Sequence, residues 1–311
     1  MKRTSMRLGL FSLFAILLTA CQQHTGIPLS LAFPAQGSVM NTQLGLILQK
    51  TDILKDAGFL AKVTGLGTGR ELKVALVSGQ ADVILTSQTN FVVLLGEGYD
   101  ARALGSLGSA GRYGLIVKNG RVNSLNDLKG KTIATIFGTS IHQPAMEWAD
   151  AAGAKVVNIG SIAAMASALE AGAVDAIVSW DPYLTGSLDR QSAKLLKDDH
   201  FDLITVASNA YLAKHNEAAA KLKVALAKAV DYLRVHREEI NREFGQMAKV
   251  GINVIDKASQ SNQNYSAPPG SPVQQGISKK LRTKLNQEAE FLFHEKVIQS
   301  KPEIDSHIWG I

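Results

Sequence analysis

The 311-residue chain has a single cysteine, only 6% aromatic residues and eight prolines. One cysteine excludes an intrachain disulfide framework and any cysteine-built metal cluster. Sparse aromatics, with charges of both signs scattered along the chain, exclude the basic stripe and stacking rings of a nucleic-acid binder. No apolar run reaches the ~20 residues needed to cross a bilayer as a helix. The longest, Leu8 to Leu18, stops short. Familiar catalytic patterns are missing too: there is no G-x-S-x-G elbow and no H-E-x-x-H pair. The seven histidines, His24, His142, His200, His215, His236, His294 and His307, lack metal-ligand spacing. No cofactor and no metal are expected.

Two glycine-rich stretches invite nucleotide readings and fail them. Gly130-Lys131-Thr132 lacks the earlier glycine of a phosphate loop, because Leu125 stands there, and it precedes a strand rather than following one. Ser124 to Asp127 instead reads as a capping box opening a short helix. In Gly65-Leu66-Gly67-Thr68-Gly69 the third glycine of a dinucleotide fingerprint is replaced by Arg70. Asp198-Asp199 beside His200 reads as a solvated turn rather than an acid–base pair.

What is present begins at the amino terminus. Lys2, Arg3 and Arg7 precede the apolar run, and Leu18-Thr19-Ala20 leads to Cys21. This is the pattern of a secretory signal, and the last four residues resemble the bacterial lipobox, whose cysteine carries the lipid. The expectation is a signal peptide over 1–20, a tether over 21–26 anchored through Cys21, and an extracytoplasmic chain held to a membrane. Without those three basic residues the charge falls to 30 Lys and Arg against 27 Asp and Glu.

From residue 27 to about 207 short β-branched runs alternate with helical stretches, which predicts an α/β architecture. Strands are expected at 28–33, 61–66, 83–86, 101–107, 113–117, 132–136, 155–159, 176–179 and 203–207. Helices are expected at 40–55, with Gly58 as its stop, at 217–242 and at 278–298. Residues 256–276, rich in Ser, Asn, Gln and Pro, read as a long mobile loop.

An internal repeat organises this pattern. Residues 61–88 lie over 154–181 without a gap, and nine of the 28 positions are identical, including Lys62/Lys155, Gly79/Gly172 and Asp82/Asp175. Each copy reads strand, glycine turn, helix, glycine cap, strand. Duplication accounts for the shared loop lengths better than convergence of two β-α-β units. Two copies imply two similar lobes, and ligands of such sheets sit beyond the carboxyl ends of the strands. The expected division is 27–115 plus 206–311 for lobe one and 116–205 for lobe two.

Strand-end logic then nominates Gln36, Gly37, Ser38, Thr68, Ser87 and Gln88 in lobe one. In lobe two it nominates Gly138, Thr139 and Ser140, whose amides and hydroxyls could receive an anion at a helix start or simply cap it. Trp180, the counterpart of Ser87, either walls the cleft or packs as a core ring. Asp181 either faces ligand or caps the following helix. Arg112 is the one basic side chain placed near them.

The run Ser124 to Lys131, then Phe137-Gly138-Thr139-Ser140-Ile141-His142, Ala168 to Ala176, and Ser179-Trp180-Asp181-Pro182-Tyr183 resembles the substrate-binding proteins of bacterial importers for nitrate, taurine and alkanesulfonates. The resemblance covers most of residues 27–215. It implies a type II periplasmic-binding-protein fold with two crossing hinge strands, no enzymatic activity, a monomer, and a permease with its ATPase as partners. It adds His142 to the ligand-binding candidates, and implies a small organic anion as ligand, sulfonates or taurine ahead of nitrate. A thiamine-precursor pyrimidine, a sensory ligand-binding role and an enzyme of the related pyrimidine-synthase type are the alternatives. The chain departs from the family at Gln88-Thr89-Asn90, where glycine or alanine and then proline are common.

Overall fold

Alternating apolar positions in Ile27–Pro34 make the first strand, β1, and the chain then winds in β-α-β fashion through α1 (Val39–Lys50), α2 (Ile53–Asp56), β2 (Phe59–Leu66), α3 (Gly69–Val77), β3 (Val83–Ser87) and α4 (Gln88–Gly96). A long strand, β4 (Ala101–Lys118), leads into a second set: β5 (Thr132–Thr135), α5 (His142–Ala152), β6 (Lys155–Asn158), α6 (Ile162–Ala171), β7 (Ala176–Trp180) and α7 (Tyr183–Asp189). β8 (Ala193–Ser208) returns, followed by α8 (Asn209–Lys214), α9 (Ala218–Val235), α10 (Arg237–Ala248), α11 (Ile252–Ser259), α12 (Gln263–Ser266) and α13 (Lys279–His294). This computed structural model describes residues 26–310 except Gln36, Asn119, Arg121 and Ser192. The signal peptide and the tether up to residue 25, Cys21 included, lie outside the described residues, as does Gln36.

The strands form one mixed sheet in the order β2-β1-β3-β8-β4-β7-β5-β6. Parallel triplets at either side flank the antiparallel pair β8 and β4, so the fold is the expected two-lobed α/β arrangement with two crossing strands. The triplets are built alike. Ser30 pairs with Lys62 and Leu31 with Val83; Thr132 pairs with Lys155 and Ile133 with Ala176. Adding 93 to Lys62 and Val83 gives their partners in the second set. Asp82 binds Ser30 twice, its amide giving to Ser30 O and its carboxylate taking Ser30 N, both at 2.7 Å. Asp175 does the same to Thr132, both at 3.0 Å. Gly79 and Gly172, which end α3 and α6, share a left-handed φ of 74° that a side chain would strain. Convergent β-α-β units would have no reason to repeat the aspartate clasp.

Several expected boundaries change. The runs 101–107 and 113–117 are one strand, because register shifts between Ala103 and Gly111 absorb extra residues as bulges. Gly111 permits this: a Cβ there would sit 2.1 Å from the Phe201 ring. β8 starts ten residues earlier than expected, and Asp198, Asp199 and His200 lie within it rather than in a solvated turn. They pair with Gly114, Tyr113 and Arg112, so β4 satisfies their backbone while both carboxylates stay exposed. The first long helix divides between α1 and α2, and the 217–242 helix divides at His236. The Ser124–Asp127 capping box is formed.

Residues 256–276 are not a free loop. They contain the second half of α11 and all of α12, and Tyr265 is fully buried, its hydroxyl donating to Asp256 at 2.6 Å and accepting from Asn241 at 2.8 Å. Arg234 gives to the carbonyls of Asn264 (2.8 Å) and Ser271 (2.6 Å). Polar composition here supplies buried hydrogen bonds rather than solvent exposure. The last helix, α13, starts at its Ser278 cap and lies against α4.

Candidate functional site

The two ends related by the repeat are Ser87-Gln88, where β3 becomes α4, and Trp180-Asp181, where β7 meets α7. Both adjoin the crossing strands. β3 pairs with β8 up to Ser87↔Leu203, and β7 pairs with β4 up to Trp180↔Tyr113. Gln88 Oε1 takes the amide of Asp202 on β8 at 2.9 Å, and the Asp181 amide gives to Arg112 O on β4 at 2.9 Å.

Beyond this shared frame the ends differ. At the β3 end Ser87 caps α4, accepting from Asn90 N at 3.5 Å. Gln88 and Thr89 are buried, and both give to Glu288 on α13: Gln88 Nε2 at 2.7 Å and the Thr89 hydroxyl to the other oxygen. Lys284, one turn earlier on α13, gives to His200 O at 2.7 Å and reaches Asp202 Oδ2 at 3.5 Å. Burial pushes the Glu288 carboxyl above its usual value, against the opposing pull of its hydrogen bonds from Thr89 and Gln88 and of Lys284.

At the β7 end Asp181 is 2% exposed, and its Oδ1 takes the Thr185 amide at 2.9 Å, the helix-capping role. Asp181 Oδ2 and the neighbouring Trp180 Nε1 are buried with no hydrogen-bond partner among the described residues. His200 Nε2, across β4, is likewise unpartnered. Burial raises the Asp181 carboxyl, while the Thr185 hydrogen bonds, Arg112 and His200 hold it down. Arg112 is itself paired with Asp198 at 2.8 Å. An unpartnered buried polar atom costs about 1–3 kcal/mol, so adjoining residues that each carry one make this tip a candidate site. Asn41, in the first turn of α1, adds an unpartnered Oδ1 beside β3, where its Nδ2 gives to Thr86 O at 3.0 Å.

The loop after β5 folds onto itself. Gly138, with φ of 73°, gives its amide to His142 Nδ1 at 3.4 Å, and the Thr139 hydroxyl gives to Ile136 O at 2.7 Å. Those donors serve the loop, which leaves Ser140, half-buried, as the remaining candidate there. His142 is 2% exposed, stacked on Phe137 at 4.4 Å and edge-on to Phe291 of α13 at 5.4 Å. Burial lowers its pKa below the usual 6.5. Where the sequence suggests an open groove, α5 and α13 therefore touch. A cavity of about 240 Å³ lies elsewhere, between α3 and the β1–β2 edge.

Of the other candidates, Ser38 is buried at the start of α1, Gly37 is half-buried, and Thr68 is exposed at the start of α3. Thus the structure brings Asp181, next to Trp180 in the chain, near Arg112 and His200, engages Gln88 internally, and leaves Thr68 apart at the outer strand β2. Sequence reasoning missed Asn41, His200, Thr89 and Glu288. A buried polar residue in an otherwise apolar helix face was the available signal for Glu288, between Leu285 and Leu292.

Two parallel β-α-β triplets bridged by an antiparallel pair, with unpartnered polar atoms at a strand tip beside the bridge, define the two-lobed fold of the periplasmic binding proteins. Residues 65–240, more than half of the chain, match the family described as NMT1/THI5 like, and the chain belongs to it. An aliphatic sulfonates-binding protein of Escherichia coli (strain K12) is 23% identical over 207 residues, 63% of this chain. The match spans 61% of that relative's length. Among solved structures, the periplasmic aliphatic sulphonate binding protein SsuA from Escherichia coli superposes with a TM-score of 0.76 at 20% identity, covering 91% of this chain and 92% of that one. The alkanesulfonate-binding protein SsuA from Xanthomonas axonopodis pv. citri, bound to MOPS, gives 0.73 at 18%, covering 91% and 98%. The desulfurization enzyme DSZB gives 0.67 at 15%, covering 91% and 96%. At these identities the structures establish the fold.

Proposed function

We propose that this chain is an extracytoplasmic solute-binding protein that carries a small organic anion, a sulfonate or a taurine-like amino-sulfonate ahead of nitrate, to an ABC importer. The observation that carries the reading is the tip of β7, where Trp180 Nε1, Asp181 Oδ2 and, across β4, His200 Nε2 are buried and unpartnered. An indole N–H and an imidazole N–H are donors for a sulfonate oxygen, and Arg112, paired with Asp198, lies near Asp181. The indole also offers a flat wall to an alkyl chain. Both the relative and two of the structural neighbours bind sulfonates by name, which supports the same class here.

A second reading, a thiamine-precursor pyrimidine, draws on one feature. A carboxyl with a raised pKa beside an indole can both give and take hydrogen bonds at the edge of a flat heterocycle. In this account the chain binds without catalysis, with lobe one formed by 27–115 and 206–311 and lobe two by 116–205. It is held to a membrane by lipid on Cys21; Cys21→Ser would abolish labelling by palmitate in cells, and persistent labelling would refute the anchor.

The test is calorimetric titration of the purified protein with taurine, ethanesulfonate, nitrate and an aminopyrimidine. Saturable binding of a sulfonate, with no turnover, supports the reading. Binding of the pyrimidine alone moves the assignment to the second reading, and consumption of any of them identifies an enzyme.

A further inference from the structure

We propose that the end of α13 and the loop after β5 form an aromatic clasp that holds the two halves of the molecule together, and that protonation of His142 releases it. α13 belongs to the first half: Leu285, Ala289 and Leu292 are buried in the core that holds α3 and α4, and Glu288 is bound at the start of α4. α5 belongs to the second half, with Ile141, Ala145 and Ala149 buried in a different core. Where the two meet, the His142 ring is stacked on Phe137 at 4.4 Å and edge-on to Phe291 of α13 at 5.4 Å. Beside it Gly138 leaves room for Val297, just past α13: a Cβ added at this glycine would come within 3.6 Å of the valine side chain.

The release follows from the hydrogen bond inside the clasp. Gly138 gives its amide to His142 Nδ1 at 3.4 Å, so that nitrogen carries no proton while the clasp is closed. A proton there would set one N–H against another and bury a cation, although stacking on Phe137 returns part of that cost. Of the charged groups around the ring, Glu295 favours the proton and is itself engaged by His294 at 2.9 Å; Glu147 of α5 is taken by Gln143 at 2.9 Å, and Phe137, Phe291 and Val297 bring no charge. Burial outweighs the pull of Glu295. The clasp is therefore complete above the ordinary histidine value of 6.5 and weakens as pH falls through the lowered one. Because α13 runs from the β3 tip, through Glu288, to the β5 loop, through Phe291, parting it from α5 opens the groove on that side. Control of solute entry by this opening rests on the solute-binding reading; the clasp itself does not.

The experiment is a distance measurement between two spin labels on the full chain, at the exposed and repeat-related positions Val77 and Glu170, each changed to cysteine in a Cys21→Ser background so that no other thiol is present. At about pH 8 one narrow distance should be found, and as pH is lowered to about 4.5 a second, longer distance should grow at its expense. His142→Phe, which keeps a ring and cannot titrate, should hold the narrow distance throughout. Phe291→Ala should show the second distance already at about pH 8. Circular dichroism verifies folding in every sample, and if one variant does not fold the other decides. Distances that ignore pH in the labelled parent overturn the proposal, as does a pH response in His142→Phe equal to the parent's, or a Phe291→Ala distance that matches the parent at the alkaline end. No solute is added, so sulfonate binding can fail while the clasp holds, and the clasp can fail while a sulfonate still binds.

Discussion

Gln88 and Asp181 occupy the same place in two copies of one β-α-β unit, yet the chain treats them oppositely. Gln88 is locked from both sides, its Oε1 on the Asp202 amide and its Nε2 on Glu288. Asp181 spends one oxygen on the cap of α7 and leaves the other without a partner among the described residues. A duplicated scaffold starts with two equivalent strand tips. Here a carboxyl-terminal helix covers one of them, and the other is the tip proposed for recognition. The pseudo-symmetry of the sheet is a property of the backbone, and the function follows from where side chains break it.

The largest expected effect separates the two tips directly. Trp180→Ala should weaken solute binding about 30-fold, the ~2 kcal/mol of a buried aromatic anchor. Ser87→Ala at the matching position should change it less than about threefold, since its hydroxyl only caps α4. Titration of both variants, with circular dichroism to verify folding, measures the contrast. Similar losses in the two would mean that both tips hold the solute.

Much of this frame was legible in the sequence because it is written in local signals. The Gly79/Gly172 caps, the Asp82/Asp175 pair and the uniform spacing located the two triplets, and Trp180-Asp181 was nominated from its place at a strand end. What was not legible depends on partners distant along the chain. Glu288 lies 200 residues from Gln88, and nothing near Ser87-Gln88-Thr89 announces that α13 will cover it. Likewise, Asp198-Asp199-His200 looks like a turn until β4 supplies the pairing edge, and 256–276 looks solvated until Arg234 and Asn241 give to it and its own Asn264 gives to Leu107 O. Composition reports polarity; it does not report who the hydrogen-bond partner is.

A second contrast concerns pH. Burial raises the Glu288 carboxyl above 4.5 in the fold, so the folded chain binds that proton more readily than the unfolded chain. Its contribution to stability is complete below about pH 4.5 and is lost as pH rises through the folded value. His142, lowered from 6.5, has the opposite sign: its contribution is present above 6.5 and is lost as pH falls. In melting curves from pH 4 to 8, Glu288→Gln should therefore remove a component that declines with pH, by at most about 1.4 kcal/mol per pH unit. A pH profile parallel to that of the natural protein would show that Glu288 titrates as an exposed carboxylate does.

The smallest expected effects test the equivalence itself. Asp82→Asn and Asp175→Asn each weaken one charge-assisted bond to a strand amide, at Ser30 and Thr132 respectively, and Asp175→Asn also loses a half-exposed ion pair with Lys131 worth about a few tenths of a kcal/mol. Each should cost about 1–2 kcal/mol in denaturant unfolding, and the two values should agree within a factor of about two. A strong inequality would show that the two triplets share geometry without sharing energetics.

The chain has three tryptophans, Trp148, Trp180 and Trp309, so its indole N–H groups can give three resolved signals in a nitrogen–proton correlation spectrum. Adding a sulfonate that binds should move the Trp180 signal far more than the other two, because only that indole is proposed to donate to the solute. A saturable titration that leaves the Trp180 signal in place, while the side-chain amide of Gln88 moves instead, would contradict the assignment of recognition to the β7 tip.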